Sequence, residues 1–211
     1  MGSEVPKQFI LLENLPVLMW SILAFIHYEP SIPVIVVLPE SQFKYWNELC
    51  LQYNFNHPHL LVKGGETRFQ SVRNGLDALG ETDLVAVHDG VRPLVSLETI
   101  DNCFVQAART GSAIPVLTLD ETLRKGDMEH SQTVDRSVYF TVQTPQVFQT
   151  PIIKQAYLQE WNPAFTDDAS VVEKQGFRVI MVPGNTENLK ITRPGDLLLA
   201  RAYFKKKEDI L

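Results

Sequence analysis

The groups in this chain that could do chemistry are cations and hydroxyls spread over distant turns, with one acid at a telling place. Asp89 stands in Leu84-Val85-Ala86-Val87-His88-Asp89-Gly90-Val91-Arg92-Pro93, where a short apolar run turns polar at once. The run reads as a strand buried on both faces, as in a parallel sheet. Ligands of open α/β sheets lie beyond the carboxyl ends of strands, so Asp89 is either part of a site or the cap of a turn or helix. Lys7, Arg92, Arg136 and Lys190 put cations at other turns and strand ends, and Ser71, Thr122, Thr144 and Thr166 add hydroxyls. One acid among several cations and hydroxyls suits a phosphorylated substrate and a Mg²⁺-bound triphosphate. Arginine gives bidentate phosphate contact and lysine a point charge. Gly64-Gly65 open a helical pattern, where backbone N–H groups can meet an anion or a base edge, although the same dipeptide also serves as a bare tight turn. Asp167-Asp168 could hold a metal, but acids in a first helical turn are more simply caps and dipole partners. A His/Glu metal pair, a Gly-x-Ser-x-Gly elbow and a Walker lysine loop are all missing from the sequence.

The elements that must position these groups alternate. Val17 to Ile26 reads as a helix with Pro16 at its start, and Val34 to Leu38 as a buried strand. Ser41 to Tyr53 carries a helical stripe of Phe43, Trp46, Leu49, Cys50 and Tyr53. Leu60 to Val62 is a strand. Thr67 to Leu79 is a helix with Phe69, Val72, Leu76 and Leu79 on its core face and Arg68, Ser71 and Gly75 along one edge. Ser96 caps a helix to Thr110 whose inner face is Leu97, Ile100, Phe104, Ala107 and Ala108, and Ala113 to Leu117 is a further strand. This rhythm predicts a three-layer, Rossmann-like α/β fold, with a mostly parallel twisted sheet and helices on both faces. The polar stretch Leu119 to Arg136, with a turn at Lys125-Gly126-Asp127, reads either as a projecting β-arm that packs on a second subunit or as a solvated loop. Beyond it come a strand at Tyr139 to Gln143, a helix at Thr150 to Glu160, a helix from Thr166-Asp167-Asp168 to Gln175, a strand at Phe177 to Val182, an extended piece at Asn188 to Ile191, and a terminal helix from Thr192 and Pro194 ending in Lys205-Lys206-Lys207. The expectation is one domain over 1–211, with 119–136 protruding.

Composition narrows the partners. The 211 residues carry 19 basic and 25 acidic side chains, a formal charge of −6, which argues against nucleic acid or an anionic membrane as the main partner. Leu15 to Ile26, the longest apolar stretch, falls short of a bilayer span. The two cysteines, Cys50 and Cys103, read as reduced thiols of a cytoplasmic protein.

Taken together, four signatures resemble those of the 2-C-methyl-D-erythritol 4-phosphate cytidylyltransferase family. They are Pro6-Lys7-Gln8-Phe9; Gly64-Gly65-Glu66-Thr67-Arg68-Phe69-Gln70-Ser71-Val72; Val87-His88-Asp89-Gly90-Val91-Arg92-Pro93; and Thr133-Val134-Asp135-Arg136 with Thr144-Pro145-Gln146. Asn188-Leu189-Lys190-Ile191-Thr192-Arg193-Pro194 closes the pattern. The resemblance implies attack of the substrate 4-phosphate on the α-phosphorus of CTP, with loss of pyrophosphate. By the family pattern Lys7 stabilises the charge growing on the triphosphate, and Gly64, Gly65, Glu66 and Ser71 surround the cytosine. Asp89 sits beside Mg²⁺ and the ribose or substrate hydroxyls, and Arg92 supports that loop. Thr122, Arg136, Thr144, Thr166 and Lys190 hold the methylerythritol phosphate, with Arg136 and Lys190 placing its phosphate for attack. The resemblance also implies a homodimer in which the arm carries Arg136 to the neighbour's site.

One departure stands out. Family members begin with a strand and a loop Ala-Gly-Gly-x-Gly-x-Arg-Met-Gly, of which only Met1-Gly2 match here. The expectation is a missing first central strand, two neighbouring strands with open edges, and weakened or absent turnover of the chain as given. Rival readings are the same chemistry on another polyol phosphate such as ribitol 5-phosphate, and a non-catalytic remnant that dimerises or binds nucleotide. A nucleotide-sugar glycosyltransferase would need an Asp-x-Asp pair, which His88-Asp89-Gly90 lacks.

Overall fold

The structure, a computed structural model, describes residues 5–208, with side-chain surroundings as far as Lys205. Met1-Gly2 and the side chains of Lys206 and Lys207 lie outside the described residues. A 3₁₀ turn at Lys7–Phe9 leads into a small hairpin of β1 (Leu11–Leu12) and β2 (Leu15–Pro16), then α1 (Val17–Tyr28). There follow β3 (Ile35–Leu38), α2 (Phe43–Gln52), β4 (Leu60–Lys63), α3 (Arg68–Asp77), β5 (Leu84–Val87), α4 (Leu97–Thr110) and β6 (Ser112–Thr118). The arm is a hairpin of β7 (Arg124–Gly126) and β8 (Ser131–Thr133). The chain then forms β9 (Phe140–Val142), β10 (Gln146–Gln149), α5 (Thr150–Ala156), α6 (Asp168–Lys174), β11 (Met181–Pro183) and α7 (Pro194–Glu208).

Local chemistry sets the helix starts nearest the site. Thr67 and Gln70 form a reciprocal capping box on α3, and Ser96 accepts the Thr99 N–H at the head of α4. Asp167 caps α6 through Ser170 N–H. Gly111 ends α4 at φ +96°, a left-handed conformation that favours glycine.

The main sheet runs β11-β6-β10-β5, with β9 also on β6, while β3 and β4 form a separate parallel pair. β10 is antiparallel to both β5 and β6, β9 is antiparallel to β6, and β11 is parallel to β6. The sheet is therefore more mixed than the alternation of elements predicts, because Gln146–Gln149, a segment to which the sequence pattern assigns no element, inserts as a strand. Among the described residues no strand pairs with β3 opposite β4, or with β5 opposite β10. β5 is half-buried along its length rather than covered on both faces, as follows for a strand with one lateral neighbour. Leu97 also departs from its predicted place: it is exposed, and Ile100, Cys103 and Ala107 carry the buried face of α4.

Three apolar clusters bear on the site. Phe9 packs with Leu18, Met19, Trp46 and Leu49. Phe69 packs with Ile114, Phe148, Ile153, Tyr157 and Val172. Val91 and Leu94, just after Asp89, share a cluster with Ile191, just after Lys190, and with Leu12, Val17 and Phe204 of the N-terminal hairpin, α1 and α7. The last cluster fastens the two loops that carry the main charged groups. Among the described residues, no helix is long and apolar enough to cross a membrane.

Candidate active site

Asp89 follows the carboxyl end of β5, and Lys190 lies beyond the carboxyl end of β11. Their loops are joined directly, since Ile191 N–H donates to the Val91 carbonyl at 2.9 Å. Asp89 Oδ2 accepts from Arg92 Nε at 3.0 Å and faces Lys190 Nζ at 3.1 Å. Arg92 also donates through its guanidinium to the Asn188 carbonyl at 2.7 Å. Burial alone would raise the Asp89 carboxyl, but the Lys190 ammonium and Arg92 guanidinium outweigh it and hold it below the usual carboxylate range. Among the described residues Oδ1 has no hydrogen-bond partner, so the ionised carboxylate keeps one oxygen for a ligand. Lys190 is partly exposed, at 42% of its side chain, and so can reach a phosphate from where it stands.

Behind this cluster the Asp89 N–H donates to Thr144 Oγ1 at 3.0 Å, and that hydroxyl meets His88 Nδ1 at 3.1 Å. Thr144 thus differs from the expectation of a substrate contact. It is 5% exposed, and its hydroxyl is engaged by Asp89 and His88. Thr166 stands exposed at the entry to α6. Its segment is tied to the Asp89 side by Gln146, which donates to Asp167 Oδ2 and accepts from Ala169 N–H, both at 2.8 Å.

The Gly64-Gly65 junction sits at the carboxyl ends of β3 and β4, where Gly64 N–H donates to the Leu38 carbonyl. Gly65 N–H donates to Ser71 Oγ at 3.1 Å, and Gln70 Oε1 accepts from the Glu66 and Thr67 N–H groups. A Cβ at Gly65 would collide with Gln70, so the tight approach requires glycine. An open hollow of about 690 Å³ lies over this loop, lined by Pro39, Gly64, Gly65, Glu66 and Arg73 among others. Lys7 is exposed on its 3₁₀ turn, which Phe9 anchors in the core and Gln8 ties to Gln42 beyond β3 at 2.7 Å.

Thr122 and Arg136 stand exposed on the arm side, with no side-chain hydrogen bond among the described residues. The structure therefore brings together Asp89, Arg92, Lys190 and Thr144, and separately Gly64, Gly65, Glu66 and Ser71. Within one chain it leaves Lys7, Thr122, Thr166 and Arg136 out of contact with the Asp89 cluster.

Sequence reasoning missed one ion pair here. Arg68 NH1 donates to Asp168 Oδ1 at 2.9 Å, its NH2 engages Oδ2, and the Tyr157 hydroxyl donates to Asp168 Oδ1. Asp168 is fully buried, so only Asp167 is the cap. The clue was Arg68 at the first position of α3, along one helix edge with Ser71 and Gly75, which sequence spacing alone cannot pair with a residue a hundred positions away.

The family model for 2-C-methyl-D-erythritol 4-phosphate cytidylyltransferase matches residues 1–206. The Bacteroides fragilis protein of that name is 49% identical over 204 residues, covering 97% of this chain and 93% of its own length. The Bacillus licheniformis protein of that name is 36% identical over 211 residues, covering 99% and 91%. Among solved structures, that of 2-C-methyl-D-erythritol 4-phosphate cytidylyltransferase from Thermus thermophilus has a TM-score of 0.77 at 32% identity, over 95% of this chain and 94% of that one. The 4-diphosphocytidyl-2C-methyl-D-erythritol synthase of Anaerococcus prevotii gives a TM-score of 0.82 at 26% identity, over 94% and 93%. With matching motifs, fold and relatives over nearly its whole length, the chain belongs to the 2-C-methyl-D-erythritol 4-phosphate cytidylyltransferase family.

Proposed function

We propose that this protein transfers the cytidylyl group of CTP to 2-C-methyl-D-erythritol 4-phosphate, a step of isoprenoid precursor synthesis. An oxygen of the 4-phosphate attacks the α-phosphorus, the bond to the β-phosphate breaks, and pyrophosphate leaves. The observation that carries this reading is the pairing of Arg92 and Lys190 on one oxygen of Asp89, at the carboxyl ends of β5 and β11. A phosphoryl centre needs little covalent help, so held charges and orientation account for most of such a catalyst.

In this reading Gly64, Gly65, Glu66 and Ser71 surround the cytosine in the hollow over α3. Lys7 reaches the triphosphate. Lys190, with Arg136 brought by the arm of a second subunit, holds the substrate phosphate in line. Thr122 and Thr166 take the polyol hydroxyls or phosphate, and Thr144 serves by holding Asp89. The protein is one domain over 1–211 with the arm at 119–136, it works as a homodimer, and it acts in the cytoplasm.

The donor set fits Mg²⁺. Among the described residues no group of three or more His, Cys, Asp or Glu lies together, and in this cluster Asp89 Oδ1 is the carboxylate oxygen left open to an ion. A cation that keeps several waters and takes its other ligands from phosphates suits that offer. When bound, the ion would neutralise charge on the triphosphate.

Pyrophosphate release tests the proposal, with CTP and a panel of 2-C-methyl-D-erythritol 4-phosphate and ribitol 5-phosphate. Turnover on the first and little on the second is expected, because the relatives carry the first substrate in their names. Lys190→Ala should lower kcat by about a hundredfold or more while CTP still binds. A chain that binds CTP and Mg²⁺ but turns over neither polyol phosphate would be the non-catalytic remnant. The expectation of weakened turnover finds no support in the comparisons, and the rate itself decides it.

A further inference from the structure

Under Asp89 and Lys190 lies a layer of polar side chains, of which the reading above uses only Thr144. Asn188 is fully buried. Its Nδ2 donates to the Thr144 carbonyl at 2.8 Å and faces Gln143 Oε1 at 3.4 Å. Both neighbours are carbonyl oxygens, which fixes the orientation of the amide. Its own backbone carbonyl receives Arg92 NH1 at 2.7 Å and Gln143 Nε2 at 3.3 Å. One residue thus ties together the loop of Lys190, the guanidinium beside Asp89, and the Thr144-Pro145 segment.

His88 completes the layer. Its Nε2 lies 3.0 Å from the Arg92 carbonyl, which can only accept, so Nε2 carries the proton. Nδ1 is then a bare acceptor, and Thr144 Oγ1 gives it its proton at 3.1 Å. The hydroxyl's lone pairs are left for the Asp89 N–H at 3.0 Å. Polarity therefore runs one way, from Asp89 N–H to the Thr144 hydroxyl to His88 Nδ1, and again from His88 Nε2–H to the Arg92 carbonyl. The imidazole packs edge-on against Phe25 with ring centroids 5.0 Å apart, so it has little room to turn.

We infer that Asn188 and His88 are positioning residues for the transfer: they touch no substrate, and they set where Asp89, Arg92 and Lys190 come to rest. The inference deepens the proposed function and rests on it. Asn188 Oδ1 is buried with no hydrogen-bond partner among the described residues, so the residue is held through Nδ2 and its backbone carbonyl; misplacing a reacting group by about 1 Å can cost about a hundredfold in rate. The cytosine loop at Gly64 to Ser71 is built on other elements, so disturbing this layer should act on the transfer step more than on the binding of CTP.

The test uses the full chain and the variants His88→Phe, His88→Asn and Asn188→Asp. Phenylalanine keeps a ring against Phe25 and removes both nitrogens. Asparagine restores an acceptor for Thr144. Aspartate sets a carboxylate against two carbonyl oxygens. For folded protein, kcat should fall about 10- to 100-fold in His88→Phe and Asn188→Asp, with KM for CTP rising by less than kcat falls, and His88→Asn should recover part of the loss. Amide exchange at Asp89 should speed up at least about tenfold in His88→Phe. The exchange readout needs no turnover, so it separates a failure of this inference from a failure of the proposed reaction. Should Asn188→Asp not fold, Asn188→Ser replaces it and the His88 series stands. Unchanged kcat, a matching rise in KM for CTP, or Asp89 exchange as slow as in the wild type would overturn the inference.

Discussion

Burial pulls the His88 imidazole down to about 4, although the Arg92 carbonyl and the Asp89 carboxylate favour its charged form. An unfolded chain would take up that proton near the ordinary value of 6.5. Below that point the unfolded state binds a proton that the folded state refuses, so folding stability should decline as pH falls from about 6.5 to about 4. The shift corresponds to about 3 kcal/mol. Asp89 adds to the loss at lower pH: its carboxyl is held below the usual range, so its contribution is present above the unfolded value and disappears as pH falls through the folded one. Urea midpoints measured between pH 4 and 7 check this, and His88→Phe should flatten the slope. An equal slope in the variant would mean that other groups carry the loss. Asp89 and Arg92 were legible in the sequence because they follow the apolar run Leu84 to Val87, and Lys190 because it lies in the extended piece Asn188 to Ile191. His88 and Asn188 were not, because their parts depend on Thr144, which lies 56 and 44 positions away.

At the scale of elements, the tie between α3 and α6 is the Arg68–Asp168 pair. It holds the helix that follows the Gly64-Gly65 loop against the helix that Asp167 caps. Its two ends are unequal. Arg68 keeps 39% of its side chain exposed, whereas Asp168 keeps none. Removing Arg68 strands a buried carboxylate with only the Tyr157 hydroxyl, and Arg68→Met should cost about 3–5 kcal/mol. Removing the acid leaves a guanidinium that can turn to water, so Asp168→Asn should cost about 1–3 kcal/mol. Chemical unfolding of the two variants measures the asymmetry; equal losses would mean the pair is worth no more than its shared packing. The sequence showed α3 and α6 readily, through apolar spacing and the capping residues Thr67 and Asp167. It hid β10, because Gln146–Gln149 is only four residues long and its buried glutamine reads as polar loop. That glutamine is buried because it links Asp167 and Ala169, a contact that exists only once the fold has formed.

The whole molecule leaves the arm as its least supported part. Thr122 and Arg136 are exposed, and so are Met128, Val138, Tyr139, Phe140 and Val142. Met128 on the arm, and Val138, Tyr139, Phe140 and Val142 just after it, make an apolar surface beside a segment with no core of its own, which suits a second copy of the chain. Mixing separates a site shared between subunits from one built within a single chain. Arg136→Ala and Lys190→Ala should each be nearly inactive alone. If Arg136 serves the partner's site, a mixed dimer has one site with both residues intact and one with neither. Random reassociation of equal amounts makes about half of the dimers mixed, so about a quarter of wild-type activity should return. If Arg136 works in its own chain, every site in the mixture lacks one residue and nothing returns. Sedimentation of a Val138→Asp/Phe140→Asp variant gives the companion result. A shift to monomer with loss of turnover is expected, and a dimer that keeps full activity would place the subunit contact elsewhere.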